Sequence, residues 1–274
     1  MWYSLALEAP AMTKTIMLIH GAWLNSKGWE HWKARYEARG FTVHAPDWPG
    51  DEGEPSELRA NVRQSLVKSG QREIIASYEQ KIRALPEAPI LIGHSAGGVF
   101  VQHLLDHGLG VAGVAIDPAP TPGVGLGPHA IISALPVLGD PFSGGKVVSM
   151  TRKFFKTRFA QTLPENLKDE HFERYIVPTA GKVYWDGVIN AIPVNWTNPA
   201  RAPLLLIAGG KDLIADARMT KAIYDKQKQA PSPTEFKLYP ARCHWTCAEA
   251  GWEEVADFAL DWALRYARQT EARA

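Results

Sequence analysis

The sequence predicts an α/β fold: a mostly parallel sheet with helices on both faces, plus an inserted, mainly helical cap. Short apolar runs alternate along the chain with amphipathic stretches of helical length, which implies crossover connections and parallel strands. The runs are nearly continuous in apolar residues, as strands covered on both sides must be. With 274 residues, 46% of them hydrophobic, the chain is long enough to bury such a sheet in one large domain or two small ones.

Thr15 to Ile19 is the first strand run, and it stops at His20-Gly21. From Ser26 to Arg39, Trp29, Trp32 and Tyr36 fall three and four apart on one helical face, and Gly40 offers a left-handed terminus. Phe41 to Ala45 predicts the second strand. An acidic, Pro/Gly-rich loop follows from Asp47 to Pro55, then helical stretches over Glu57 to Val67 and Gln71 to Leu85. Pro89 to Gly93 predicts a strand, a helix starts near Ala96, and Val111 to Ile116 is a strand again. The alternation stops from Pro118 to Pro199, where prolines, aromatic residues and irregular helical patches replace strand runs. That span, 118–199, reads as a cap inserted into a core of residues 12–117 and 200–274. The core resumes with a strand at Leu204 to Ala208, a helix from about Ala215 to Gln229, a strand at Glu235 to Tyr239 and a helix from about Glu249 to Arg268. Residues 1–11 read as an N-terminal extension that the fold does not need.

Charge narrows the partners. Thirty Lys and Arg against 29 Asp and Glu give a net charge of +1, without the basic excess that phosphate backbones and anionic membranes attract, so nucleic acid is not expected as a ligand. No apolar run approaches the roughly 18 residues of a membrane span, and the N-terminus has no basic segment before its apolar patch, which reads as cytoplasmic. The 2 cysteines, Cys243 and Cys247, cannot staple a chain of this length, and with His244 they lack the second ligand pair of a closed zinc site. Neither metal nor cofactor is expected.

Gly93-His94-Ser95-Ala96-Gly97 matches G-x-S-x-G, and it sits between a buried strand and an amphipathic helix. A nucleophile on a strained strand-to-helix turn needs small neighbours, which Ala96, Gly97 and Gly98 provide. The N-H groups opening the helix then face any developing negative charge.

On these residues the chain resembles the α/β-hydrolase superfamily, in particular the capped esterase-like branch that includes plant methylesterase and hydroxynitrile lyase relatives. The resemblance extends through His20-Gly21-Ala22-Trp23, Ala45-Pro46-Asp47-Trp48-Pro49-Gly50, Gly209-Gly210-Lys211-Asp212 and Cys243-His244-Trp245, in the family's order. It implies a triad of Ser95, Asp212 and His244, and an oxyanion hole from the backbone N-H groups of Ala22 and Ala96. Of the 9 histidines, His244 is the one in a loop directly after a late strand. The acid is less sharply defined, because Asp117 also ends a strand and Asp216 lies four residues beyond Asp212. Trp23 and Trp185 are candidate substrate contacts, the second from an aromatic-rich cap.

The expected function is that of a serine hydrolase cleaving a carboxylic ester of a small, fairly apolar substrate through an acyl-enzyme. The same triad could instead serve carbon-carbon bond, thioester or lactone hydrolysis or perhydrolysis, or a non-catalytic protein could use the pocket to sense a ligand. Oligomeric state and physiological substrate leave no mark in the sequence.

Overall fold

The computed structural model describes residues 13–271. The expected extension at 1–11, and Met12 at the expected start of the core, lie outside the described residues. The chain order is β1 (Thr15–Ile19), a 3-10 turn (Ser26–Trp29) leading into α1 (Glu30–Ala38), β2 (Thr42–His44), α2 (Pro55–Ala60), α3 (Gln64–Lys68), α4 (Gln71–Arg83), β3 (Ile90–His94), α5 (Ala96–Asp106) and β4 (Ala112–Ile116). Between β4 and β7 the chain carries α6 (Pro128–Leu138), β5 (Val147–Val148), α7 (Arg152–Phe154) continued by a π-helical turn, α8 (Glu165–Tyr175), β6 (Thr179–Ala180) and α9 (Gly181–Ile189). The chain closes with β7 (Leu204–Gly209), α10 (Ala217–Gln227), β8 (Thr234–Tyr239) and α11 (Trp252–Glu271).

Six strands form one parallel sheet in the order β2-β1-β3-β4-β7-β8. Alternate residues of each central strand enter different cores, as a period of two requires. Ile16, Leu18, Ile90, Ile92, Leu205 and Ile207 pack with Trp29 of the 3-10 turn, Trp32 and Tyr36 of α1 and Trp262 of α11. Met17, Ile19, Leu91, Leu204 and Leu206 pack on the opposite face with Phe100 and Leu104 of α5 and Ile223 of α10. Both faces are therefore covered, which explains why these strands read as apolar runs.

Strand order also places the site. Because the chain leaves β1 for β2 on one side and leaves the adjacent β3 for β4 on the other, the connections diverge at the carboxyl ends of β1 and β3 and open a crevice between them. Ile19 pairs with Gly93, so the residues after β1 and β3 emerge side by side. Helix α5 crosses this point closely. A Cβ on Gly97 would lie 2.1 Å from Ile19 O, and one on Gly93 would lie 2.2 Å from Gly97 O.

Three local expectations need correction. The stretch Glu57 to Val67 is two helices, because the chain leaves α2 at Asn61, at φ −134° and ψ 89°; Asn bonds readily to nearby backbone outside helices. The final helix starts at Trp252, after Gly251 turns the chain at φ +77°. The stretch between β4 and β7 does hold a ribbon, antiparallel β5 and β6, whose two residues each are too few to show a strand period.

The crossing of α5 over β1 generates a first prediction. Gly97→Ala forces backbone apart and should lower the unfolding free energy by about 1–3 kcal/mol or more. Urea denaturation checks it, and a variant as stable as the parent would contradict the tight crossing.

Candidate active site

Ser95 follows β3 at φ +54° and ψ −118°, a left-handed conformation rare for a residue with a side chain. Its neighbours hold it there: Ser95 N donates to Ile116 O, and Ser95 O accepts from Gly98 N and Ala119 N at 2.9 Å each. Gly21 packs against it so tightly that an added Cβ would sit 2.7 Å from Ser95 Cβ and 3.3 Å from its Oγ. The loop after β1 can approach the serine only because residue 21 has no side chain.

Ala96 opens α5, where the first four N-H groups have no acceptor inside the helix. Ala22, Ser95 and Ala96 together line a cavity of about 150 Å³. Its other walls are largely hydrocarbon, from Ala130, Ala134 and Leu138 of α6, Val183 and Val188 of α9, and Ile214. Leu126 and Val188 are 50% and 59% exposed, which marks the mouth.

His244, in the loop after β8, is buried, and its Nδ1 lies 2.7 Å from Asp212 Oδ2. The carboxylate can only accept, so Nδ1 carries the proton and Nε2 of the neutral ring is left basic. Asp212 is oriented in turn by Ile214 N and Ala215 N, which donate to its Oδ1 at 2.6 and 2.9 Å.

The other two acids have different partners. Asp117 accepts from Gly209 N at 2.6 Å through Oδ1, and its buried carboxyl also meets the Thr246 side chain. Burial, reinforced by the charge of Asp212, raises the Asp117 carboxyl well above its usual range and favours the neutral acid. Asp216 caps α10, accepting from Arg218 N and Met219 N at 3.1 Å each.

His94 lies under the site, its Nε2 donating to His244 O at 2.8 Å. Burial, helped by the nearby His244 ring, holds its imidazole well below the usual value. His20 stacks on Trp48 with ring centroids 4.6 Å apart, and burial draws its pKa down to about 4. Both rings are thus neutral near pH 7. Nitrogen or carboxylate atoms of His94, Asp117 and His244 lie within 4.8 Å of one another. Cys243 and Cys247 are buried free thiols, the first pushed up to about 12 by burial, which keeps it a packing group.

The structure brings Ser95, Ala22 and Ala96 to one cavity and joins Asp212 to His244. It does not bring the two expected tryptophans there. Trp23 is buried behind the wall at φ +62°, its indole N-H donating to Val148 O at 3.1 Å. Trp185 donates to Ser143 Oγ at 2.8 Å and is not among the cavity residues. The aromatic residue that lines the cavity is Tyr184, one position earlier. A single residue turns a helical side chain by about 100°, and Val183, Tyr184, Gly187 and Val188 share the inner face of α9. That spacing was visible in the sequence; Gln71, at the start of α4, left no such signal.

Residues 16–258 match the model of the alpha/beta hydrolase family, and the chain belongs to that family. Solved structures with the same fold include methylketone synthase I from tomato complexed with 2-tridecanone, with TM-score 0.69 at 17% identity, covering 93% of this chain and 100% of that one. A methylesterase from Arabidopsis superposes with TM-score 0.66 at 16% identity, covering 90% of this chain and 98% of that one. The monoacylglycerol lipase of Paleococcus ferrophilus gives TM-score 0.66 at 19% identity, covering 93% of this chain and 96% of that one. At such identities the likeness establishes the fold alone. No curated protein matches the chain in sequence.

The neutral Asp117 generates a pH prediction. A carboxyl whose pKa is raised by folding contributes its full stability below the unfolded value of about 4 and loses it as pH rises towards the folded value. Asp117→Asn retains an acceptor for Gly209 N-H and removes that loss, so the variant should gain stability relative to the parent between pH 4 and pH 7. Urea titrations at both pH values check this, and a constant difference would show that Asp117 titrates alike folded and unfolded.

Proposed function

We propose that this protein is a serine hydrolase that cleaves a carboxylic ester of a small, fairly apolar substrate through an acyl-enzyme, with Ser95, His244 and Asp212 as its triad. The observation that carries the reading is the 2.7 Å bond from Asp212 to His244 Nδ1, in a fold whose strained turn presents Ser95 to an apolar cavity. A cavity of about 150 Å³ accepts a group the size of benzene.

Each step uses a group already described. Ser95 Oγ attacks the ester carbonyl carbon while His244 Nε2 takes the hydroxyl proton, and Asp212 stabilises the imidazolium formed. The carbonyl oxygen, now an anion, receives the backbone N-H groups of Ala22 and Ala96. Collapse breaks the bond to the alcohol oxygen, which leaves with the proton from His244. Water then repeats the sequence on the acyl-serine and releases the acid. The chemistry calls for no cofactor or metal. In this reading residues 118–199 act as a cap whose helices α6 and α9 shape the substrate cavity, while the sheet edge supplies the reacting groups.

Turnover of a short-chain aryl ester tests the proposal. Ser95→Ala should lower kcat by on the order of a million-fold while the protein remains folded. Asp212→Asn should lower it by roughly ten-thousand-fold by favouring the wrong imidazole tautomer, and Asp117→Asn should have a much smaller effect. The opposite ranking of the two acids would move the role to Asp117, and absence of turnover by the parent protein would favour a ligand-sensing role.

A further inference from the structure

Besides Ser95, the cavity lining holds three polar side chains: Gln71, Ser133 and Tyr184. Ser133 is already engaged, donating to Leu213 O at 3.0 Å and accepting from Arg158 at 3.1 Å. Gln71 is half engaged. Its Nε2 donates to Val183 O at 2.9 Å, which leaves the carboxamide oxygen without a protein partner among the described residues. The Tyr184 hydroxyl likewise has no protein partner among them, and burial raises its pKa so that it stays protonated.

Both residues line the same cavity and are held in place by neighbouring groups. Gln71 grips the carbonyl of Val183, the residue immediately before Tyr184, and its backbone N-H bonds Asp186 Oδ2 at 2.9 Å, tying the start of α4 to α9. The Tyr184 ring rests on Trp23 with centroids 5.3 Å apart, and Trp23 is itself fixed by its bond to Val148 O. Neither oxygen has a protein partner among the described residues, so both are free to bond an occupant of the cavity.

We propose that Tyr184 Oη and Gln71 Oε1 form a subsite for a hydroxyl group, so that the preferred substrate is an ester whose hydrocarbon body carries a hydroxyl away from the scissile bond. The proposal rests on the ester-hydrolase reading and adds a substrate class to it. The amide oxygen only accepts, whereas the phenol both donates and accepts. A hydroxyl satisfies both, donating to Gln71 and accepting from Tyr184. A ketone would satisfy Tyr184 alone. An ammonium group would enter a lining that contains no charged side chain to balance it.

Tyr184→Phe is the decisive variant, because it removes one oxygen that has no protein partner and leaves the ring. Two readouts separate the subsite from the chemistry. In the first, 4-nitrophenyl hexanoate is compared with analogues hydroxylated at the last or next-to-last carbon, alongside hexyl acetate and the corresponding hydroxyhexyl acetates. At least one hydroxylated ester should have a KM about ten-fold below its parent, and Tyr184→Phe should abolish that difference with little change in kcat. In the second, hexan-1-ol and hexane-1,6-diol are titrated into the Ser95→Ala protein. The diol should bind about ten-fold more tightly, and adding Tyr184→Phe should equalise the two. Preserved diol preference without turnover would overturn the hydrolase reading and keep the subsite. The subsite is overturned if plain and hydroxylated compounds behave alike in the parent pocket, or if Tyr184→Phe weakens both members of a pair equally.

Discussion

The site depends on the close crossing of α5 over β1 and β3. Gly93 and Gly97 allow backbone to meet backbone, and the turn between strand and helix is short enough to force Ser95 to φ +54°. The non-glycine residues with positive φ among those described are Trp23, Ser95 and Asp117, which follow β1, β3 and β4. Such conformations cost of order 1–3 kcal/mol each and persist where surrounding structure over-determines them. Here a six-stranded parallel sheet supplies that determination, and the strain collects at its carboxyl edge, where the serine, the first loop and the acids meet.

Electrostatics sorts the groups that share this edge. Asp212 receives two backbone N-H groups as well as the imidazole, so its charge is well solvated by the protein. Asp117 has one backbone donor and lies beside that charge, and burial favours its neutral form. Burial first, and then the neighbouring Asp212, thus make Asp117 the acid whose neutral form the fold favours. His94 and His20, both neutral, close the underside of the site without adding a competing positive charge near His244.

Much of this was legible in the sequence. Continuous apolar runs gave the strands because both sheet faces are buried, and the glycines around Ser95 marked the one turn that must be tight. The loop after β1 was legible for the same reason: Gly21 is there because Ser95 Cβ occupies the space. The choice among Asp117, Asp212 and Asp216 was not, since it turns on where short loops aim side chains; only coordinates reveal that Asp216 faces α10 and Asp212 faces His244. Trp185 lies off the cavity that Tyr184 lines, and composition shows aromatic residues without showing which face of α9 looks inward. Helical spacing with Val183, Gly187 and Val188 contained that information.

The central claim is that Ser95 is the nucleophile activated by the His244 and Asp212 pair. Its most direct test is labelling of the native protein with a small fluorophosphonate, followed by peptide mass spectrometry, at matched concentrations of the parent, His244→Ala and Ser95→Ala proteins. The account predicts one phosphonyl group per chain, on Ser95, forming far more slowly in His244→Ala and absent from Ser95→Ala. Stoichiometric labelling of any other residue, or unchanged labelling of Ser95 without His244, would contradict it.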